Sequence, residues 1–262
     1  MGSGESRIQH VPEDIKREAY GRLALSGPEV LVTPSLAETL GLPREDLLNQ
    51  FPNSSSLLTA LMLQAYEAMG ASAEKEATDA REKGLGLLAQ WISACDGMRT
   101  WAQANPAEYT LIWGPPRPGY CAPPETVIVG ARAAVILVDI LRRATKARRI
   151  AAPGPADLPL SPGMRCNVRN LANGMLAGLA DDLIARLLVT WTQLLGMISY
   201  TVYGHANEFA APDAFFEHAA TTMGRFVGIT EDEPIGAQAG WADHTRRTSP
   251  PAPGGDQPHP GW

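Results

Sequence analysis

This chain is short of most of the residues that carry chemistry. It has three cysteines, Cys95, Cys121 and Cys166. An odd number, with no CxxC spacing and no Cys/His cluster, argues against a disulfide framework and against a zinc site, and fits a reducing compartment. Charged residues make up 19% of the sequence and the net charge is −6. The protein as a whole therefore does not attract nucleic acid, and any DNA-binding surface must be local. No Ser-His-Asp arrangement, phosphate loop or dinucleotide fingerprint is visible, so the reading is a non-enzyme with no cofactor and no metal. The first 30 residues lack an apolar core segment, which argues against a signal peptide and for a cytoplasmic protein. One run, Leu187 to Asn207, carries no formal charge. It contains Thr190, Thr192, Gln193, Ser199 and Thr201 and stands alone, so it reads as a buried or interface helix rather than a membrane span.

What the chain does have is helical periodicity. Its 262 residues suffice for one large domain or two, and no strand-like alternation persists. The expected fold is all-α. A first helix runs from about Pro12 to Ser26, with Ile15, Ala19, Leu23 and Ala24 on one face and Gly27-Pro28 ending it. Ser35 to Leu40 and Arg44 to Phe51 are two short amphipathic segments around the turn Gly41-Leu42-Pro43. That is a helix–turn–helix pattern, whose second helix can enter the DNA major groove. Pro52-Asn53-Ser54-Ser55-Ser56 caps a fourth helix that starts at Leu57-Leu58 and runs to about Lys83. Beyond it, helices are expected over Leu85–Ala104, Ala107–Trp113, Glu125–Arg149, Val168–Asn207 (one or two) and Pro212–Val227. Proline-rich loops fill Gly114–Pro124 and Ala151–Pro162. The remainder, from 229 to 262, is rich in Pro, Gly and charge and reads as a disordered tail. Residues 1–11 read as a flexible N-terminus.

The segment from Ile15 to Leu58 resembles the DNA-binding head of TetR-type transcriptional regulators. Gly27, Leu36-Ala37, Leu40-Gly41, Phe51 and Leu57-Leu58 stand at the spacing of that head. Further on, Asn105-Pro106-Ala107-Glu108-Tyr109 is similar to a His-Pro-x-x-Tyr segment of one class of TetR ligand domain. Trp191 to Met197 and Gly204-His205 are similar to its Trp-x-x-x-His-Gly and Gly-His signatures. The resemblance implies a head at 12–58, a helical ligand-binding and dimerisation domain at 59–228, and a homodimer whose last two helices pair across a two-fold axis. It implies operator DNA and a small apolar ligand as partners, with no membrane.

The departures from that pattern lie mostly in the head. Leu48 stands where the family has a phosphate-contacting Tyr, Gln50 where it has His, and Asn53-Ser54-Ser55-Ser56 where a Lys is common. Leu195 replaces the His of the tryptophan signature. From Pro12 to Met62, Lys16, Arg17, Arg22 and Arg44 face Glu13, Asp14, Glu18, Glu29, Glu38, Glu45 and Asp46, a net of −3. Most non-specific DNA affinity comes from neutralising phosphates, so such a head needs its charges segregated to bind well.

Candidate DNA contacts are Thr33, Ser35, Arg44, Asn49 and Gln50. Arg44 suits guanine or a phosphate, Asn49 suits adenine, and Thr33 and Ser35 suit capping and phosphate contact. Trp91, Cys95, Met98, Trp101, Tyr109, Trp113, Met175, Trp191 and Tyr200 are candidate ligand residues. Core filling explains any one of them; as a group they suit an apolar cavity. Gly196, Ser199, Tyr203, His205 and Phe216 are candidates for the dimer seam. The basic run Arg142 to Arg149 reads as a solvated helix C-terminus, and Asp181-Asp182 as helix N-terminal charge. The reading is a ligand-released transcriptional repressor. The alternative is a TetR-like protein that has lost DNA binding and acts as a small-molecule binder or enzyme through its cavity.

Overall fold

The computed structural model describes residues 10–26, 31, 33–117, 119–152, 159–205 and 211–230. The expected helix stop at Gly27-Pro28, the N-terminus up to residue 9, the helix end at 206–207 and the tail from 231 lie outside the described residues, as do the side chains of Ala24 and Thr33.

Eleven helices are described: α1 (Glu13–Ser26), α2 (Thr33–Leu40), α3 (Arg44–Gln50), α4 (Ser54–Glu82), α5 (Leu87–Ala104), α6 (Pro106–Trp113), α7 (Glu125–Gly130), α8 (Arg132–Lys146), α9 (Pro162–Ala172), α10 (Asp181–Val202) and α11 (Pro212–Phe226). Among the described residues there is no strand, only an isolated antiparallel bridge between Ile150 and Ile229. The all-α expectation holds.

The head closes on a small apolar core. Ile15, Ala19 and Leu23 recur every four residues on α1 and are buried with Leu36 and Ala37 of α2, Leu47 of α3 and Phe51 just beyond it. Gly41 turns the chain between α2 and α3 at φ 64°, a left-handed conformation that costs a residue with a Cβ. Helix α4 starts with a capping box. The Asn53 side chain accepts from Ser56 N–H at 2.8 Å, and Ser56 Oγ accepts from Asn53 N–H at 3.2 Å. At 29 residues it is on the order of 40 Å long. Leu57, Leu58 and Leu61 pack at the head end, and Met69, Ala73, Ala77 and Ala80 further along.

Helix α5 lies close along α4. A Cβ on Gly97 would meet the Ser72 carbonyl oxygen at 2.7 Å, and Ser72 Oγ donates to the Gly97 carbonyl at 2.9 Å. Helix α11 seats Gly224 against Leu88 and Trp91 in the same way. Helices α1 to α11 form one compact unit, because α4 runs from the head into the body and α1 rests on α6.

Several boundaries differ from the expected ones. The segment Glu125–Arg149 is two helices, broken at Ala131. There Gly130 lets the Tyr66 ring approach to where a Cβ would be 3.2 Å from it. Helix α9 starts six residues before Val168, because Pro162 occupies its first turn and Ser161 Oγ accepts from Met164 N–H at 3.3 Å. The loop expected up to Pro162 therefore ends at a helix start. Neither terminal boundary fits a loose chain. Val11 is buried and donates its N–H to Gln64 Oε1 at 3.1 Å, and Ile229 is buried in its bridge to Ile150. Helix α10 is long and apolar enough to cross a bilayer by length and composition alone. It opens with Asp181 and Asp182 and buries Leu183, Ile184, Leu187, Thr190, Leu194 and Ile198 in the protein.

Candidate nucleic-acid interface and ligand cavity

Helix α3 is held by Leu47 on its inner side and presents Arg44, Glu45, Asp46 and Asn49 to solvent. Its N-cap is Pro43, which supplies no side-chain cap, so Glu45 and Asp46 in the first turn answer the helix dipole instead. Arg44 makes no ion pair among the described residues and stays available. Gln50 is half-buried and donates to the His10 carbonyl at 3.5 Å, which ties the N-terminal strap to the end of α3. Thr33 opens α2.

Ser35 is exposed, and its hydroxyl oxygen accepts from Arg22 at 2.8 Å. The same guanidinium reaches Thr39 Oγ1 at 2.6 Å and Glu18 at 2.8 Å. Arg22 thus clamps α1 to α2. Lys16 is drawn the other way, to Glu108 of α6 at 3.1 Å. Two of the four head cations therefore serve internal contacts, and the exposed Arg17 and Arg44 carry the positive charge that faces outward.

The candidate ligand residues fall in four places. Trp91, Cys95, Met98 and Tyr109 are fully buried and fill the core. They line neither of the two larger cavities described below. Burial pushes the Cys95 thiol up, so it stays a neutral, inert thiol. Tyr109 is a pin rather than a ligand contact. Its hydroxyl donates to the Leu195 carbonyl at 3.0 Å and lies 2.9 Å from Ser199 Oγ. Burial pushes its pKa up to about 12, against the opposing Ser199 hydrogen bond. Trp101 borders only a small space at the seam between head and body, with Lys16, Tyr20 and Glu108. Tyr200 is exposed on α10, where with Gly196, Met197, Phe215 and Phe216 it lines a separate open cavity of about 340 Å³.

Trp113, Met175 and Trp191 do come together. With Tyr66, Ala122, Thr126, Val127, Gly130, Ala131 and Ala134 they line a cavity of about 400 Å³. Trp113 is the centre of an aromatic chain, edge-to-face with Tyr66 and with Trp191, each at 5.8 Å between centroids. Tyr66 and the α7 residues were not expected here. Tyr66 sits in a helix that reads as a connector, and the signal for α7 was hidden inside a longer apolar run. A cavity of about 460 Å³ lies elsewhere: an open cleft between α4, α5 and α11 walled by Glu76, Asp96, Asp213 and Glu217 around Arg99. Its polar, acidic wall is unsuited to an apolar ligand.

On α10 and at its C-cap, Val189, Gln193, Gly196, Tyr200 and Tyr203 follow one another at alternating four- and three-residue steps and are all exposed. That is the spacing of a helix–helix seam. His205, just beyond, packs on Tyr200 at 5.2 Å between rings. Two seam candidates are corrected. Phe216 is buried inside the protomer under the Arg99 guanidinium at 4.8 Å, and its neighbour Phe215 is the exposed one. Ser199 turns inward to Tyr109.

A helix–turn–helix head fused through one long helix to a helical body with an apolar cavity defines a class, the ligand-sensing transcriptional regulators. The family described as tetracyclin repressor-like, C-terminal domain matches residues 91–223, and the chain belongs to it. The chain is 24% identical over 195 residues to HTH-type transcriptional regulators of Mycobacterium bovis and Mycobacterium tuberculosis, covering 70% of this chain and 77% of theirs. Among solved structures it is similar in fold to the regulatory protein SCO4313, with TM-score 0.61 and 22% identity over 80% of this chain and 93% of that one. A tetR family transcription regulator from Shewanella sp. PV-4 has TM-score 0.54 and 16% identity over 84% of this chain and 98% of its own.

Proposed function

We propose that this regulator is a cytoplasmic repressor that binds operator DNA as a homodimer and is released when a small apolar molecule fills the cavity beside Trp113. Residues 12–58 act as the head and 59–228 as the ligand and dimer domain, although they pack as one unit. The observation that carries the reading is the placement of α6. One face of this helix holds Glu108 on Lys16 of the head, the next residue, Tyr109, is pinned to α10, and Trp113 lines the cavity. A ligand that moves Trp113 therefore acts on the seat of α1 as well as on α4.

Dimer formation through the exposed seam of α10, together with the Phe215 side of α11, places two copies of α3 for adjacent major grooves, on the order of 34 Å apart. A ligand lowers DNA affinity by its preference for a different head spacing. Arg44 and Asn49 of α3 are the base-reading side chains in this account. Catalysis is not part of it, because the cavity wall carries Tyr66 as its one titratable side chain. The test is a selection of bound fragments from a genomic library followed by footprinting. Two protected half-sites one helical turn apart support the reading. A full-length dimer that retains no fragment sinks it.

The second reading, a ligand-binding dimer without DNA affinity, is favoured by one observation: Glu45 and Asp46 stand exposed beside Arg44 at the start of α3.

A further inference from the structure

The wall of the cavity beside Trp113 limits the chemistry of its occupant, and the following inference rests on reading that cavity as the effector site. No lining residue is charged. An ion lying in it would meet aromatic and apolar wall, with no counter-charge in place of the water it displaces. The side walls are the Tyr66, Trp113 and Trp191 rings, held in fixed edge-to-face relation. The lining also includes the small residues Gly130, Ala131 and Ala134. Gly130 cannot gain a Cβ without pressing on the Tyr66 ring. Aromatic rings beside small residues leave apolar ring surface against which a planar molecule can lie.

The polar groups of the wall set one further condition. Its two hydroxyls have already placed their protons. Tyr66 Oη donates to the Ile112 carbonyl at 3.2 Å, and Thr126 Oγ1 donates to the Pro123 carbonyl at 2.6 Å. Burial raises the Tyr66 pKa, so that hydroxyl keeps its proton. Toward a ligand, both oxygens can only accept. The indole N–H of Trp113 is buried without a partner and presents no surface from which to donate to a ligand. A carboxylate would need a cation or several donors and finds neither.

We infer that the cavity takes an uncharged, planar aromatic molecule bearing a hydroxyl group, a phenol-type ligand of about bicyclic size. The hydroxyl gives its proton to a Tyr66 or Thr126 lone pair, and the ring lies against the tryptophans.

The experiment is calorimetric titration of the purified full chain with four probes of one shape: 2-naphthol, 2-methoxynaphthalene, 2-naphthoate and (2-naphthyl)methylammonium. The expected order places 2-naphthol about tenfold tighter than its methyl ether, the value of one well-made hydrogen bond, with both ions weaker still. In a Tyr66→Phe, Thr126→Val double variant that advantage over the ether disappears, while the ether binds as before. Ala134→Leu, which adds bulk to the lining, abolishes binding of both neutral probes. A melting curve for each variant checks that it is folded, and the unaltered chain's ranking stands as a test without them. The inference is overturned by naphthoate or the ammonium binding as tightly as naphthol, by a naphthol preference that survives the double variant, or by none of the four binding. Operator binding by a chain that takes no probe would overturn this inference and leave the regulator reading in place. Probe binding in the expected order by a chain that binds no DNA would do the reverse.

Discussion

Helix α3 and the cavity wall carry opposite kinds of information. The outward side of α3 is charge: Arg44 beside Glu45 and Asp46, then Asn49. The cavity wall is shape: three rings, small residues and no charge. Yet both surfaces stand on ordinary apolar packing, Leu47 and Phe51 under α3, and Trp91 and Met98 in the body. A helical scaffold can thus keep its fold while the functional surface above it drifts. In the head the scaffold residues are intact, and the phosphate-facing residues of the TetR pattern are replaced. The difference teaches that head fold and head affinity are separate questions, answered by different residues.

The largest expected effect asks whether the two regions are energetically separate at all. Trp91→Ala and Phe51→Ala each remove a fully buried aromatic ring and should each cost about 3–5 kcal/mol. Because α4 and the Lys16–Glu108 contact join head to body, both variants should shift one common urea transition followed by circular dichroism. A Phe51→Ala chain with a separate early head transition, and an unchanged later one, would break that expectation.

Next in size is the DNA contact. Arg44→Ala should lower operator affinity by roughly 10- to 100-fold, the usual cost of a base-reading arginine. The double change Glu45→Gln, Asp46→Asn should strengthen binding to any duplex and steepen its salt dependence. Electrophoretic shifts at two salt concentrations read both. If the acidic pair instead reads cytosine, the double variant loses sequence preference rather than gaining affinity.

Lys16→Ala should affect communication more than binding. With the seat of α1 on α6 loosened, operator affinity should change only a few-fold, about 1 kcal/mol or less. The ligand concentration needed to release DNA should rise. Equal ligand response in the variant would mean that α4 alone carries the signal.

The smallest effect concerns Asp96 in the acidic cleft. Burial raises its pKa, opposed by Arg99 and reinforced by Glu76, Asp213 and Glu217. An acid whose folded pKa is raised is most favourable to folding when protonated, so its contribution is lost as pH rises through that raised value. Asp96→Asn should therefore raise the melting temperature slightly at pH 7, and the gain should vanish near pH 3.

Much of this was legible in the sequence, and the failures have physical causes. The head could be read because Leu36, Ala37, Gly41, Leu47 and Phe51 are local signals at fixed spacing. The cavity was half legible. Trp113, Met175 and Trp191 were expected, whereas Trp91, Cys95, Met98 and Tyr109 share their apolar character and fill the core instead. Apolarity marks burial and does not tell which buried residue borders a void. Tyr66 and Thr126 escaped notice because their role depends on where α4 and α7 meet. The break at Ala131 and the inward turn of Phe216 are likewise tertiary: Gly130 yields to the Tyr66 ring, and Phe216 receives the Arg99 guanidinium. The engagement of Lys16 and Arg22 in internal contacts was also beyond the sequence, since their partners Glu108, Ser35 and Thr39 approach only in the folded chain.

The head, with Glu45 and Asp46 at the start of α3, is proposed to read DNA still. Its most direct test is fluorescence anisotropy of the purified protein titrated against its own upstream DNA, at low and moderate salt, with a scrambled duplex as control. The expected result is tight binding to the upstream duplex, weaker binding to the scrambled one, and loss of affinity as salt rises. Equal and negligible binding to both duplexes, even at low salt, would contradict it.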